Sequence, residues 1–286
     1  MTGYTPLQHE ADGLAAGLPP LVVAADQLAN SVNLGIHGRR KAGMGESFWQ
    51  FRRYAPTDSV GRIDWRQSAR SPHLFVRERE WEVAETVWFW RDHGAAMDFR
   101  SGAMAKRERA DLLLLALASL LVRGGERVGL MGAPFRPAAS RLALSRIGHA
   151  LLDAAAPRED KGPPNVPAAP GAQLVWLGDF LSPDVEEQMR RLARAGLTGH
   201  LLRIVDPAEE DFPFAGRTLF ESAKGRDPLL FGRAENIAPA YRARFKAHGE
   251  KIATLAAQLG WTATVHRTDR PPLAALVAIH AAIGGA

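Results

Sequence analysis

The chain has 286 residues, of which 46% are apolar, enough for one large domain or for a medium domain with a smaller one attached. Its formal net charge is +5, but 36 Lys and Arg residues are intermixed with 31 Asp and Glu residues, which excludes a polybasic tail. Because the sequence has no cysteine, disulfides and thiolate metal sites are excluded, and we expect a cytoplasmic location.

The first part of the chain shows no pattern of export or membrane insertion. MTGYTPLQHEADGL lacks the basic start and apolar centre of a signal peptide. A short helix is predicted from Pro20, where apolar residues recur at helical spacing. The most apolar stretch, Leu112–Val122, has about half the length that spans a bilayer and is flanked by charged residues, so it predicts a buried helix.

The stretch Arg52–Glu82 is dense in charged and aromatic residues. It holds seven Arg residues, five carboxylates, two Trp residues, one Tyr residue and no Lys. Arginine offers a planar fork of donors to a carboxylate and stacks on aromatic rings, so this pattern predicts a fixed polar network. The alternative is a solvated surface whose ion pairs contribute little to stability. The predicted members of the network are Arg53, Tyr54, Asp58, Arg62, Asp64, Trp65, Arg66, Arg70, Arg77 and Glu80.

From Glu85 onward, strand patterns alternate with helix patterns. Apolar runs predict strands at residues 86–90, 127–131, 173–177, 200–205 and 261–266. Helical spacing and stop signals predict helices at residues 104–123, 141–155, 184–195, 236–259 and 272–283. The alternation predicts a Rossmann-like α/β domain over residues 84–286, with a mostly parallel sheet and helices on both faces.

Three further segments complete the predicted organisation. Residues 1–83 are predicted to form an N-terminal extension that carries the Arg/Asp/Trp cluster. Residues 156–171 are rich in Pro, Ala and Gly and predict a linker that does not pack. Residues 217–222 and 229–231 predict a small antiparallel hairpin.

Several motifs of the sequence belong together. They are GMGESF (43–48), RRYAPTD (52–58), RIDWRQSAR (62–70), VRERE (76–80), the segment from Lys106 to Leu130, and FPFAGRTLFES. In this combination the sequence, from about residue 30 to 285, resembles the bacterial family called domain of unknown function 58. The resemblance implies a von Willebrand factor A-type domain. It also implies that the chain works with an AAA+ ATPase of the MoxR type in assembling or activating other complexes.

Three carboxylates follow predicted strands, at Asp92, Asp179 and Asp206. In an open parallel sheet, ligands bind beyond the carboxyl ends of the strands, and converging carboxylates could hold a hard cation. The family resemblance implies a metal-ion-dependent adhesion site of pattern D-x-S-x-S, but the matching positions are Asp92, Gly94 and Ala96, which lack both hydroxyls. We therefore expect no bound metal, or weak Mg²⁺ binding at most, with Asp92 and Asp179 as remnants of a degenerate site that cap or pair instead.

The function favoured by the sequence is a non-enzymatic protein-interaction or adaptor module, with a protein partner of the MoxR type. One alternative is a divalent-metal-dependent binding domain or enzyme that uses Asp92 and Asp179. Another is a nucleic-acid binder, because the basic residues at 39–41 and 52–53 lie near aromatic residues at 48, 49 and 51. No catalytic residue is predicted: a G-x-S-x-G elbow and an H-E-x-x-H motif are both missing from the sequence.

Overall fold

The computed structural model describes residues 19–36, 48–55, 58–79, 85–153, 162–165, 171–221 and 228–284. The chain divides into two compact units, a smaller one formed by Ile36–Ala84 and a larger one formed by Met1–Gly35 with Glu85–Ala286. The sequence placed a division at residues 83 and 84, next to the boundary between these units. Helix α1 (Pro19–Ile36) nevertheless belongs mainly to the larger unit, since Ala25, Ala29 and Val32 are buried in its core.

The smaller unit contains an antiparallel pair of strands, β1 (Phe48–Arg53) and β2 (Phe75–Arg79). A short helix, α2 (Trp65–Ser68), lies between them in sequence. Neither strand was predicted, because their residues show no regular alternation of apolar and polar side chains. Ser68 links the helix to β2: its hydroxyl donates to the Asp64 carbonyl (2.8 Å) and accepts the Phe75 N–H (2.9 Å).

The larger unit continues with the alternation that the sequence predicts. Its elements in chain order are β3 (Thr86–Arg91), α3 (Lys106–Arg123), β4 (Arg127–Leu130), α4 (Arg141–Asp153), β5 (Gln173–Gly178), α5 (Val185–Arg194), β6 (Thr198–Val205), α6 (Pro207–Asp211), β7 (Thr218–Phe220), β8 (Leu229–Phe231), α7 (Ala238–Gln258), β9 (Thr262–Arg267) and α8 (Leu273–Ile283). Helix α3 ends where the sequence predicts, because Gly125 adopts a positive φ of 91° that other residues rarely adopt.

Five of these strands form one parallel sheet in the order β4-β3-β5-β6-β9, which confirms the predicted α/β class. The chain passes from β3 to β4, which lies on one side of β3 in the sheet, and then from β4 to β5, which lies on the other side of β3. The strand order therefore reverses between β3 and β5, which in open sheets is the place where ligands bind.

Helices cover both faces of the sheet, as the apolar strands require. One buried cluster joins α1, α3, α4 and α8 to one face, with Phe89, Val175 and Ile204 from the strands. A second cluster joins α5 and α7 to the other face, where Trp176 and Leu201 are buried. Among the residues that the structure describes, no helix is long and apolar enough to cross a bilayer.

Two predictions outside the sheet have different outcomes. The antiparallel hairpin is confirmed as β7 and β8, in which Leu219 pairs with Leu230. The linker prediction is wrong for the part that the structure describes. Gly162 and Pro163 are buried, and Arg191 of α5 donates to the Pro163 carbonyl and to Asn165 Oδ1. The sequence does not predict these contacts, because one of the two acceptors of Arg191 is a backbone carbonyl, a group that every residue has.

Candidate functional site

The three predicted carboxylates do lie at the carboxyl ends of neighbouring strands. Asp92 follows β3, Asp179 follows β5 and Asp206 follows β6, and all three are buried. We call these aspartates and the groups bonded to them the carboxyl edge. A buried carboxylate must receive hydrogen bonds or positive charge, so the chemistry of the edge depends on what each aspartate contacts.

Asp92 accepts hydrogen bonds from two tryptophan side chains. Its Oδ1 lies 3.2 Å from Trp90 Nε1 and 2.6 Å from Trp176 Nε1. Gly178 provides the room, since a Cβ at that position would collide with the Asp92 carboxylate. The two indole groups therefore engage an oxygen that a metal would need, and the bond from Trp176 connects the end of β3 to β5 at the place where the strand order reverses.

Asp179 contacts a buried lysine that comes from the start of α3. Lys106 Nζ lies 3.1 Å from Asp179 Oδ2 and 2.6 Å from Glu209 Oε1, and its side chain has no exposed surface. The other oxygen of Asp179 accepts the Leu181 N–H at 3.1 Å. Lysine is rarely buried without negative partners, so these two carboxylates and the ammonium form one interdependent group.

Asp206 begins α6 and holds the segment before α3. Its carboxylate accepts the Ala208 N–H (2.9 Å) and the Ser101 N–H (2.9 Å), and the Ser101 hydroxyl donates to it as well. Asp206 and Glu209 form a capping box, in which Glu209 Oε2 accepts the Asp206 N–H at 3.0 Å. Glu209 thus joins the cap of α6 to Lys106, and the predicted capping role of such aspartates applies to Asp206.

Arg203 of β6 adds a second buried cation near this group. Its Cζ lies 4.4 Å from the centre of the Phe245 ring, and Nε and Nη2 are buried without a hydrogen-bond partner. Burial lowers the pKa of this guanidinium, while Glu209 and Asp179 act in the opposite direction. Gly249 in the middle of α7 makes the position possible, since a Cβ there would collide with Arg203 Nη1.

Arg91, the residue before Asp92, forms a further buried ion pair with Asp111 of α3. Arg91 Nε lies 2.8 Å from Asp111 Oδ1, a close ion pair with poor hydrogen-bond alignment, and Arg91 Nη1 donates to the Asp92 carbonyl at 3.3 Å. Burial raises the pKa of Asp111 to about 6, even though the neighbouring arginines favour its charged form. Arg107, next in sequence to Lys106, binds Asp98 with two nitrogens, at 2.5 and 2.8 Å.

These side chains do not fit a divalent cation. Gly94 and Ala96 offer no side-chain oxygen, and the segment Ala95–Asp98 is a 3₁₀ helix. Lys106 and Arg203 already balance the two charges of Asp179 and Glu209, so a divalent cation would bring a net charge of about +2 into a buried site. Within the described residues, no group of three or more His, Cys, Asp or Glu side chains could hold a metal.

The sequence did not identify the residues that complete the edge. Lys106, Ser101, Glu209 and Arg203 were not candidates, because Lys and Arg on a helix or strand are usually exposed. Their partners are distant in sequence: Lys106 and Glu209 are 103 positions apart. The one available signal was the presence of Lys106, Arg107 and Arg109 in the first turn of α3, where basic residues are unfavourable for the helix dipole, and this signal does not distinguish Lys106 from the two arginines.

The Arg/Asp/Trp cluster lies in the smaller unit, and its described members are only partly enclosed. Tyr54, Asp58 and Asp64 are half-buried, and Trp65 is 62% exposed. Both aspartates accept backbone N–H groups: Asp58 that of Ala55 at 2.8 Å, and Asp64 that of Gln67 at 3.0 Å, which caps α2. Three of the predicted arginines are exposed, namely Arg53, Arg66 and Arg70.

The predicted arginine–carboxylate network within this cluster stays a prediction. The side chains of Arg62 and Arg77, and Glu80 as a whole, lie outside the described residues. The basic residues at 39–41, on which the nucleic-acid alternative depends, lie outside them as well.

Comparisons with known proteins give one family match and several uncharacterized relatives. The family described as "Protein of unknown function DUF58" matches residues 50–251. The uncharacterized proteins Rv1480 of Mycobacterium tuberculosis and Mb1516 of Mycobacterium bovis are each 28% identical over 289 residues, which cover 92% of this chain and 88% of theirs.

Two solved structures are similar at lower identity. The conserved hypothetical protein BatB from Bacteroides thetaiotaomicron has 14% identity and a TM-score of 0.42, with coverage of 71% of this chain and 98% of BatB. An aerotolerance-related membrane protein from Bacteroides fragilis has 14% identity and a TM-score of 0.41, with coverage of 71% of this chain and 100% of that protein.

Proposed function

The chain belongs to the DUF58 family, and from this starting point we propose that it is a non-enzymatic protein-interaction module of the cytoplasm. In this proposal the larger unit is a von Willebrand factor A-type domain with a degenerate adhesion site. The partner that we propose is an AAA+ ATPase of the MoxR type, with which the chain assembles or activates other complexes.

One observation carries the proposal: the ammonium of Lys106, 3.1 Å from Asp179 and 2.6 Å from Glu209, supplies the positive charge of the carboxyl edge. Because this cation is part of the chain, it cannot dissociate, and the edge keeps its shape at any metal concentration. An edge of this kind supports binding through a preformed surface better than chemistry at a metal ion.

The polar groups of the edge also argue for binding over catalysis. Asp92, Asp179 and Asp206 each accept hydrogen bonds from neighbouring groups, which leaves them poorly placed to take a proton from a substrate. The Ser101 hydroxyl donates to Asp206, and the other donors to that carboxylate are backbone N–H groups, the pattern of a helix cap.

The direct test is a binding measurement with the purified MoxR-type ATPase from the same organism. The chain is immobilised, and the ATPase is passed over it with ATP and magnesium present throughout. We expect saturable binding with a Kd in the range of about 1 to 50 μM, which is typical of transient contacts. A matched pair of variants, Glu209→Gln in the carboxyl edge and Glu250→Gln on the exposed side of α7, shows whether the edge contributes.

The outcomes separate the candidate functions. Loss of binding in Glu209→Gln, with unchanged binding in Glu250→Gln, supports the proposed role of the edge. Absence of any ATPase binding by the folded parent chain refutes the proposed partner. Tight Mg²⁺ binding that disappears in Asp179→Asn would instead support the alternative of a metal-dependent domain or enzyme.

A further inference from the structure

The five-stranded sheet ends in two edge strands, β4 and β9, which differ in what lies beside them. At β4, the Ala138 N–H donates to the Val128 carbonyl at 3.1 Å, and the Ala138 carbonyl accepts the Val128 N–H at 3.2 Å. Pro137 of the same segment lies against Gly129. Strand β9 pairs with β6 on one side, and within the part of the chain that the structure describes no segment pairs with its other side. An open edge of this kind is a template for pairing with another strand.

The backbone of β9 directs free hydrogen-bonding groups outward at Ala263 and Val265. The Thr268 N–H donates to the Val205 carbonyl of β6 at 2.9 Å, which fixes the alternation along the strand. Because successive residues point their N–H and carbonyl groups to opposite sides of a strand, those of Thr264 face β6, whereas those of Ala263 and Val265 face away from the sheet. Among the described residues, no backbone group bonds to these two outward residues, so each offers one N–H and one carbonyl.

The centre of β9 carries none of the features that protect an edge strand. Proteins commonly protect an open edge with charged side chains, proline or a bulge. Residues 262–265 are TATV, without charge or proline, and their register with β6 is regular. Threonine and valine favour extended strands. Val265 is 59% exposed and Ala263 is exposed as well, so the helices that cover the sheet leave this strand open to a neighbour.

We propose that β9 pairs with β9 of a second copy of this chain, antiparallel and about a two-fold axis at Thr264, so that the two sheets become continuous. In an isologous contact each surface must complement itself. With the axis at Thr264, Ala263 of one copy lies opposite Val265 of the other, and about four backbone hydrogen bonds use every outward group of both residues. A small side chain thus meets a larger one, and the two threonines at the axis form a favourable cross-strand pair.

The charged groups at the end of β9 are compatible with this arrangement. Arg267 binds three carboxylates there, and they belong to Glu210, Asp211 and Asp269. Arg270 is exposed close by, so three carboxylates stand against two arginines, and two such ends repel each other. Antiparallel pairing keeps the two ends about 20 Å apart, since each Arg267 lies three positions from the axis. That distance is about twice the Debye length at 0.1 M salt, which screens most of the repulsion.

Sedimentation equilibrium of the full chain over about 2 to 400 μM tests the inference. A contact made by one pair of strands is smaller than a standard interface, so we expect a reversible dimer with a Kd of about 10 to 100 μM. Val265→Pro removes an outward N–H and leaves the bonds to β6 intact, because proline is tolerated on the open side of an edge strand; it should weaken dimerisation at least about 30-fold. The matched control, Val265→Thr, keeps the N–H and a β-branched side chain, and its Kd should stay within about 3-fold of the parent.

Disulfide trapping tests the register, because the sequence has no cysteine of its own. Thr264→Cys places one thiol of each copy at the axis, in a pair whose Cα atoms are about 4.5 Å apart, which a disulfide can bridge. Thr262→Cys is the matched control, since its two copies lie about 14 Å apart in the same dimer. A mild oxidant should cross-link Thr264→Cys and leave Thr262→Cys monomeric.

The inference concerns self-association and is independent of the proposed ATPase partner. A parent that stays monomeric at every concentration overturns it, and slow hydrogen exchange of the Val265 N–H in that monomer would show that another segment of the same chain covers the edge. Unchanged dimerisation of Val265→Pro with native circular dichroism overturns it as well. If Val265→Pro does not fold, the two cysteine variants decide: equal cross-linking of both, or of neither, refutes the pairing.

Discussion

Replacing Lys106 with methionine should destabilise the chain severely. Methionine has a similar length and no charge, so it removes the ammonium while it keeps most of the packing. The Asp179 and Glu209 carboxylates, whose side chains are only 11% and 15% exposed, then lose their common counter-ion. Removing one partner of a buried ion pair typically costs about 3 to 5 kcal/mol of unfolding free energy. For a domain of this size that corresponds to a fall in Tm of about 6 to 20 °C.

The assay is differential scanning calorimetry of Lys106→Met beside Lys251→Met. Lys251 is the matched control, because it also pairs with a glutamate, Glu186, but its side chain is 63% exposed. An exposed pair contributes about 0 to 1 kcal/mol, so the control should melt within a few degrees of the parent. If both variants melt like the parent, Lys106 does not neutralise the edge, and the account of the carboxyl edge is wrong.

A second measurement on the same position tests whether the ammonium acts as an internal cation. In Lys106→Ala the smaller side chain leaves two carboxylates facing an empty volume, which suits a hard cation with oxygen ligands. We expect Mg²⁺ or Ca²⁺ to raise the Tm of this variant and to leave the parent unchanged, because a ligand stabilises only the state that it binds. A variant without any response to either ion would show that the carboxylates relax apart when the lysine is lost.

Three further variants test other parts of the edge and the sheet. Asp92→Leu leaves the indole N–H groups of Trp90 and Trp176 without an acceptor and should lower the unfolding free energy by about 1 to 3 kcal/mol for each. Asp92→Asn keeps an acceptor and should cost less. Urea denaturation measures both variants, and equal losses would refute the role of the indoles. Gly249→Ala, which in an ordinary helix interior would gain about 1 kcal/mol, should instead lose stability because Arg203 Nη1 occupies the space; a more stable single variant would contradict this. Arg203→Met should itself be destabilising, since it removes a buried cation, but in that background Gly249→Ala should cause no further loss. Burial lowers the pKa of His200 from 6.5 to about 4. Between these pH values the unfolded chain binds a proton that the folded chain does not, so stability is lost as the pH falls through this range. His200→Gln should reduce the slope of unfolding free energy against pH by up to about 1.4 kcal/mol per pH unit, and an unchanged slope would exclude His200 as the cause.

The parts of the fold that the sequence predicts are those with a local pattern. The apolar runs of β3, β5 and β6 predict buried parallel strands, and the two glycines after Arg123 predict the end of α3. The hairpin of β7 and β8 was predicted from two short apolar runs. By contrast, β1 and β2 carry Arg and Glu residues without alternation, and their pairing depends on partners about 25 positions apart in the chain.

The carboxyl edge shows the same division between local and distant information. Asp92, Asp179 and Asp206 were found because each follows an apolar run, and the topology of a parallel sheet brings such ends together. Lys106 and Arg203 were missed because burial of a cation depends on carboxylates from other elements. For the same reason, the proposed importance of the Arg/Asp/Trp cluster is untested, since local density does not show whether Trp65 is enclosed, and in the structure it is 62% exposed.

Calorimetric titration of the parent chain with Mg²⁺ and Mn²⁺, repeated on Asp179→Asn, tests the central claim most directly. The claim is that the Lys106 ammonium provides the cation of the carboxyl edge. We predict no saturable heat at concentrations up to about 1 mM for either protein, because Lys106 and Arg203 already balance the charges of Asp179 and Glu209, and neutral donors occupy Asp92 and Asp206. Saturable binding to the parent that is lost in Asp179→Asn would contradict the account and would favour a metal-dependent function for this edge.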